Sequence, residues 1–268
     1  MASSRPSQNK TWTRHGVRQR LVRTTLLIAV VGSFLASWLT IDLTTTFLLS
    51  APREFGALLA RMYPPDIGYL PNLVGPTIET INISILGTFL AIVFAAPVAL
   101  LGAENTTLNR GTYLIAKFII ASSRSVNVII WALIMVIVFG SGALAGILAI
   151  AVRSIGFTAK ILAESIEEID SGSVEAIRAT GASRTQVILY GIISQIKPAF
   201  VTVATLRWDI NVRGATVLGL VGAGGIGVTL IQAIDQFAWR TAAIVLIIIV
   251  LLVVVSEGIS VVLRRTIR

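Results

Sequence analysis

Residues 218–231 read LGLVGAGGIGVTLI, and within them Gly222, Gly224 and Gly227 satisfy G-x-G-x-x-G. That spacing also opens the phosphate turn of dinucleotide sites, so its reading decides between a βαβ enzyme domain and another architecture. A dinucleotide turn needs a second strand, and an acid about 20 residues beyond the glycines to hold the ribose. Here the chain continues as TAAIVLIIIVLLVVV at 241–255, and no acid occurs from residue 236 to residue 256. The would-be strand has the length and apolarity of a membrane helix. Gly222, Gly224, Gly225 and Gly227 are therefore expected to form a flexible turn at the external end of a membrane span. Glycine supplies positive φ and close backbone approach there, as a gate or a pore-lining turn requires.

Composition agrees. The 268 residues are 55% hydrophobic and 13% charged, with mean hydropathy +0.86. Soluble domains carry about 25% charged residues. An all-α polytopic membrane protein is expected. Cysteine is absent and His15 is the single histidine. Cys- or His-based metal sites and Ser-His-Asp catalysis are thereby disfavoured, and neither catalytic nor metal-binding residues are expected.

Six apolar spans can be drawn, at roughly 21–41, 77–101, 112–139, 143–164, 198–221 and 241–263. Each covers about 30 Å or more at 1.5 Å per residue. The third is interrupted by polar SSRSVN at 122–127, and GSG at 140–142 makes a tight turn. Residues 1–20 read as a disordered basic tail, and 21–268 as the transmembrane domain. Residues 42–76 are mixed and hold five prolines, with FGALLARMY at 55–63 as a short interfacial helix. Six crossings put both termini on one face. That face collects thirteen Lys and Arg against three on the other. The positive-inside bias makes it cytoplasmic and accounts for much of the +9 charge without nucleic acid.

Residues 165–197 are too charged for lipid and are expected in the cytoplasm. Two short helices joined at Gly181 are predicted. Ser173 caps the first, Glu175 lies in its first turn, Gly181 ends it in the left-handed conformation, and Ser183 with Gln186 forms a capping box. Such dense capping suits a rigid contact surface better than a linker.

EAIRATG at 175–181 resembles the E-A-A-x-x-x-G loop of ABC importer permeases, with Ile177 in place of the second alanine. Gly191 and Ile193-Ser194 are further departures, and Pro198 keeps a later proline. RWDINVRGATVLGLVGAGGIG (207–227) and SIGFTAKILAESIEEID (154–170) resemble the phosphonate-type branch. The resemblance covers about residues 75–265. It implies a type I importer-like permease in the plasma (inner) membrane. It also implies a homodimer with two cytoplasmic ATPase subunits and an extracytoplasmic substrate-binding protein. On this resemblance Glu175, Ala176, Arg178, Gly181, Ala182 and Ser183 couple to the ATPase. The cargo would be phosphonates or phosphate-like oxyanions. The chain has no G-x-x-x-x-G-K-[ST], so ATP is expected on the partner subunits and no cofactor on this one.

The fifth span holds Arg207, Asp209 and Arg213. An ionised side chain at mid-bilayer costs about 2.5–3.5 kcal/mol, so such groups face protein or water. Asp209 and Arg213 can pair at i,i+4, and equally can serve only to stitch helices. Arg207 has no acid at three or four residues. Arg207, Trp208, Asp209, Asn211 and Arg213 are expected to line an anion pathway, since guanidinium forks match phosphorus oxyanions. Arg124, Asn127 and Arg153 are further candidates, and Lys160 reads as the surface partner of Glu164. Two rival readings are a permease for another solute such as methionine, and an ion-coupled anion transporter or channel. The latter leaves the capped loop unexplained.

Overall fold

The computed structural model describes residues 17–41 and 45–266, and every regular element among them is helical. The basic tail at residues 1–16 lies outside the described residues. Residues 17–20, read with that tail, instead form the first turn of α1 (Val17–Thr40). The chain divides into two compact units, the first ending at Leu58 and the second beginning at Leu59. The first holds α1 and most of α2 (Thr45–Met62), which is longer than the short helix expected around 55–63.

The second unit is a helical bundle. α3 (Leu70–Gly102) begins seven residues before the expected span, because Pro71 occupies its first turn, where no N–H is needed. The third span is not straight. α4 (Arg110–Ser125) and α5 (Val128–Phe139) meet at 94° across a two-residue break. Asn127 makes the bend by capping α5, accepting from the Ile129 N–H at 3.1 Å. α6 (Ala143–Glu167) and α7 (Ser171–Ala179) follow. α8 runs from Arg184 to Val221, through a π-helical stretch at Val187–Ile192 and a closing 3-10 turn. The expected short second helix of the loop is thus the first turns of span five, extended beyond the charged segment. α9 (Ile226–Asp235) and α10 (Trp239–Thr266) complete the bundle. Among the described residues five helices are long and apolar enough to cross a membrane, or six if α4 and α5 count as one broken span.

α6 is the axis of the bundle, and its small residues let neighbouring backbones approach. A Cβ on Gly156 would stand 2.6 Å from the Ile120 carbonyl oxygen of α4. One on Gly146 would stand 2.4 Å from that of Ala223. Apolar side chains fill two ends. Ala99, Ile120, Leu162, Ile166, Val187 and Ile192 pack near α7. Ile83, Ala145, Ile150, Leu218 and Ala223 pack near the glycine turn. Outward residues such as Ile85, Phe89, Val250 and Val254 stay exposed, as lipid-facing positions do.

Between these layers Asn211 ties three helices together. Its Nδ2 donates to Thr88 Oγ1 at 2.9 Å, and its Oδ1 accepts from Ser154 Oγ at 3.0 Å. All three residues are buried. Interhelical hydrogen bonds of this kind contribute about 0.6–2 kcal/mol. Asn211→Ala is expected to lower the thermal midpoint of the purified assembly by a few degrees, at about 1 kcal/mol, while transport at permissive temperature persists. Scanning calorimetry with parallel uptake assays checks this.

Candidate functional site

The loop between α6 and α8 forms a compact knuckle. Its cap differs from the expected one. Asp170, not Ser173, is the N-cap of α7, accepting from the Gly172 and Ser173 N–H groups at 3.0 and 3.3 Å. Ser173 instead donates its hydroxyl to Asp170 Oδ2 at 2.8 Å. With α7 starting at Ser171, Glu175 lies beyond the first turn, so the helix dipole does not account for it. Gly181 follows the C-cap with φ of +82°, and its N–H donates to the Arg178 carbonyl at 3.0 Å. Gln186 reaches back to the Ser183 N–H at 2.8 Å, as a capping box requires.

A residue not anticipated from sequence fixes the knuckle to the bundle. Gln195 Oε1 accepts from the Asp170 N–H at 3.0 Å, while its Nε2 donates to the Gly191 carbonyl at 2.8 Å. One side chain therefore holds the start of α7 and the carbonyl at the end of the π-helical stretch. Ile177 and Val174 of α7 lie within van der Waals reach of Gly191. Arg184 adds a 2.8 Å bond to the Thr106 carbonyl. Glu175, Ala176, Arg178, Gly181 and Ser183 remain exposed, and Ala182 is half-buried.

The Ser173 hydroxyl, and then the Gly172 and Ser173 N–H groups, hold the Asp170 carboxyl below its ordinary value. The ionised form is thus preferred in the folded knuckle. Its contribution is present above the unfolded pKa and is lost as pH falls through the lower, folded one. The protection factors of residues 171–179, measured against the intrinsic exchange rate at each pH, are expected to fall on acidification below about pH 4. Asp170→Asn should abolish that dependence.

At the opposite end, the glycine turn is packed rather than slack, which corrects the expectation of a flexible closure. Gly222, Gly224 and Gly225 have φ of +80°, +83° and +77°. The Gly142 N–H donates to the Gly222 carbonyl at 2.9 Å, and the Ile226 N–H to Thr80 Oγ1 at 2.7 Å. A Cβ on Gly227 would stand 2.2 Å from the Thr216 carbonyl oxygen. The glycines serve close crossing of α8 and α9 as well as positive φ. Thr80, the anchor, carries no signal in sequence because its partner lies 146 residues away.

The five residues expected to share an anion pathway do not share a face. Successive helical residues are about 100° apart, so 207–213 runs round the whole circumference. Asn211 points inward to Thr88 and Ser154. Asp209 binds Arg213 at 2.6 Å and accepts from Ser256 of α10 at 3.2 Å. Arg213 also lies 3.8 Å from Glu257. This pair is compensated and joins α8 to α10. Trp208 lines an apolar groove with Phe89, Ile259 and Leu263. Arg207 turns toward α4 and α6, where it shares the Phe157 ring with Arg124 and Arg153. Lys160 pairs with Glu164 at 3.4 Å, as expected.

Long apolar helices packed through small residues, buried polar ties and a capped polar knuckle define a polytopic membrane protein. Residues 91–268 match the family described as the binding-protein-dependent transport system inner membrane component. The chain is 37% identical to the phosphite transport system permease protein PtxC of Stutzerimonas stutzeri over 231 residues, covering 86% of this chain and 84% of that one. It is 32% identical over 234 residues to the phosphate-import permease protein PhnE of Mycolicibacterium smegmatis, covering 87% of this chain and 44% of the relative. In three dimensions it is similar to a chain of the MetNI methionine ABC transporter solved in inward-facing form. There the TM-score is 0.65 at 25% identity, covering 76% of this chain and 99% of that one. The chain belongs to the family of inner-membrane permease components of binding-protein-dependent transport systems, and is a multi-pass membrane protein of ABC importer type.

Proposed function

We propose that this chain is the membrane-spanning subunit of an ATP-driven importer for phosphonate-type or phosphate-like oxyanions. It works as a homodimer, with both termini cytoplasmic, two ATPase subunits on the cytoplasmic face and a substrate-binding protein outside. ATP binds to the partners, and this chain contributes passage and coupling. The observation that carries the reading is the knuckle. Its exposed face (Glu175, Ala176, Arg178, Gly181, Ser183) is held by Asp170, Gln195 and the Gly181 turn onto the helix that also bears Arg207. A push on α7 thereby reaches the π-helical stretch and α8 without a flexible joint. Two arrangements of α8, biased by the nucleotide state of the partners, are sufficient for alternating access. The packed turn at 222–227 is the proposed outer closure, moving as one piece with the ends of α8 and α9.

The cargo class is supported by the relatives named for phosphite and phosphate transport and by uncompensated arginines within the bundle. Rebuilding the full assembly in proteoliposomes tests it, with labelled phosphite, phosphate, methylphosphonate and methionine offered in turn. ATP-dependent uptake of one or more of the phosphorus oxyanions is expected. Uptake of methionine with none of the oxyanions contradicts the reading.

A further inference from the structure

The ring of Phe157 on α6 is surrounded by three guanidinium groups from three helices. Arg207 of α8 lies 4.6 Å from the ring centroid, Arg124 at the end of α4 lies 4.7 Å away, and Arg153 of α6 lies 5.3 Å away. Among the described residues none of the three makes an ion pair. Arg207 is 4% exposed, and its Nε and Nη2 have no hydrogen-bond partner; Nε of Arg124 is likewise buried and unpartnered. Arg153 stands ten residues from the start of α6 and fourteen from its end. At 1.5 Å per residue this places the cluster about 15 Å from the glycine-turn end of the helix. Phe157, Arg124 and Arg153 are each only half-buried, so the cluster opens on one side.

Three like charges at mid-depth repel one another, and buried donors of Arg124 and Arg207 lack partners. Cation–π contact with one phenyl ring offsets only part of that cost. Elsewhere the same helix shows the ordinary solution, with Arg213 neutralised by Asp209. Among the described residues no acid pairs with the arginines at Phe157, which leaves an anion as the missing partner. We propose that Arg124, Arg153 and Arg207 form an intramembrane station for a tetrahedral phosphorus oxyanion. Each guanidinium donates to the oxygens of the passing group, and Phe157 spaces the three cations while the station is empty. The helix bend at 126–127 belongs to the site, because it ends α4 at Ser125 and leaves Arg124 in the last turn, beside α6. No bond forms or breaks, and the site binds and releases.

The proposal rests on the reading of this chain as an oxyanion importer subunit, and the test separates the two. The full assembly is reconstituted with its ATPase and binding protein, and uptake of labelled phosphite is measured for wild type, Arg207→Gln, Arg153→Gln and the surface control Lys160→Gln. The two site variants are expected to lose uptake about tenfold or more, Arg207→Lys to retain part of it with a raised KM, and the control to match wild type. Phosphite, but not chloride, should raise the thermal midpoint of the wild-type permease with its ATPase subunits and without the binding protein. This shift should vanish in Arg124→Gln, which removes one of the two half-buried members. Uptake within twofold of wild type in both glutamine variants overturns the station and leaves the importer reading intact. Wild type that carries none of phosphite, phosphate and methylphosphonate overturns the reading and the station with it. If Arg207→Gln does not assemble, the thermal measurement decides, and no shift by phosphite in wild type rejects the site.

Discussion

Gly181→Val is expected to give an assembled transporter whose uptake falls about tenfold or more while ATP hydrolysis continues uncoupled from it. The physical reason is confined to the backbone. Gly181 has φ of +82°, and a Cβ there would meet nothing within 4 Å. The penalty is therefore conformational, about 1–2 kcal/mol for an ordinary L-residue and more for a β-branched one. The chain can escape it by turning Gly181 to negative φ, which breaks the bond to the Arg178 carbonyl and re-aims Ala182 and Ser183 relative to α7. The folded bundle survives this, since the knuckle is at its surface. The contact face for the partner does not. Asparagine tolerates the left-handed region best among the other residues, so coupling should fall in the order Gly, Asn, Ala, Val. Uptake and ATPase activity measured on the same vesicles give the ratio. A valine variant with wild-type coupling shows that the shape of this turn does not transmit the movement.

Gly219→Val is expected to remove the protein altogether. A Cβ at Gly219 would stand 2.3 Å from the Val228 nitrogen and 2.4 Å from the Gly227 carbonyl carbon. Both obstacles are backbone, so no side-chain rotation relieves the clash. Overpacking a core costs about 1–3 kcal/mol when side chains can adjust, and more here. The crossing of α8 and α9 must open, and with it the turn that Thr80 and Gly142 hold. Even alanine should fail, giving no monodisperse peak in detergent. On the same helix Gly214 has nothing within 4 Å of its Cβ. Gly214→Ala should therefore be neutral or stabilising, by about 0.5–1 kcal/mol. A stable Gly219→Val protein would show that the two helices are not in this close contact.

Much of this was readable from the residues because the signals are local. Spans one, four and six match their helices to within a few residues, since hydropathy and length decide them. Gly181 and the Ser183–Gln186 pair were legible because capping acts over three or four residues. Pro71 misled because the first turn of α3 needs no N–H there, and Pro76 because α3 carries proline in its interior, as membrane helices tolerate. The cap moved from Ser173 to Asp170 because the carboxylate three residues earlier accepts from two N–H groups and starts the helix at Ser171. The pathway was misjudged for another reason. Residues 207–213 look like a cluster in one dimension, but a helix distributes them round its axis. A wheel drawn at 100° per residue would have separated Arg207 from the Asp209–Arg213 pair. No local signal joins Arg207 to Arg124 or Phe157, because those contacts exist only once α4, α6 and α8 have packed.

The central claim is that the knuckle and the glycine turn lie on opposite sides of the membrane, with the knuckle facing the ATPase. The native chain has no cysteine, so single thiols report cleanly. Ala179→Cys in the knuckle and Gln236→Cys beyond α9 both fall at exposed positions. A membrane-impermeant maleimide should label Gln236→Cys in intact cells and leave Ala179→Cys untouched. In inside-out vesicles it should label Ala179→Cys, and added ATPase subunits should protect that position. Labelling of Ala179→Cys from outside intact cells would contradict the account.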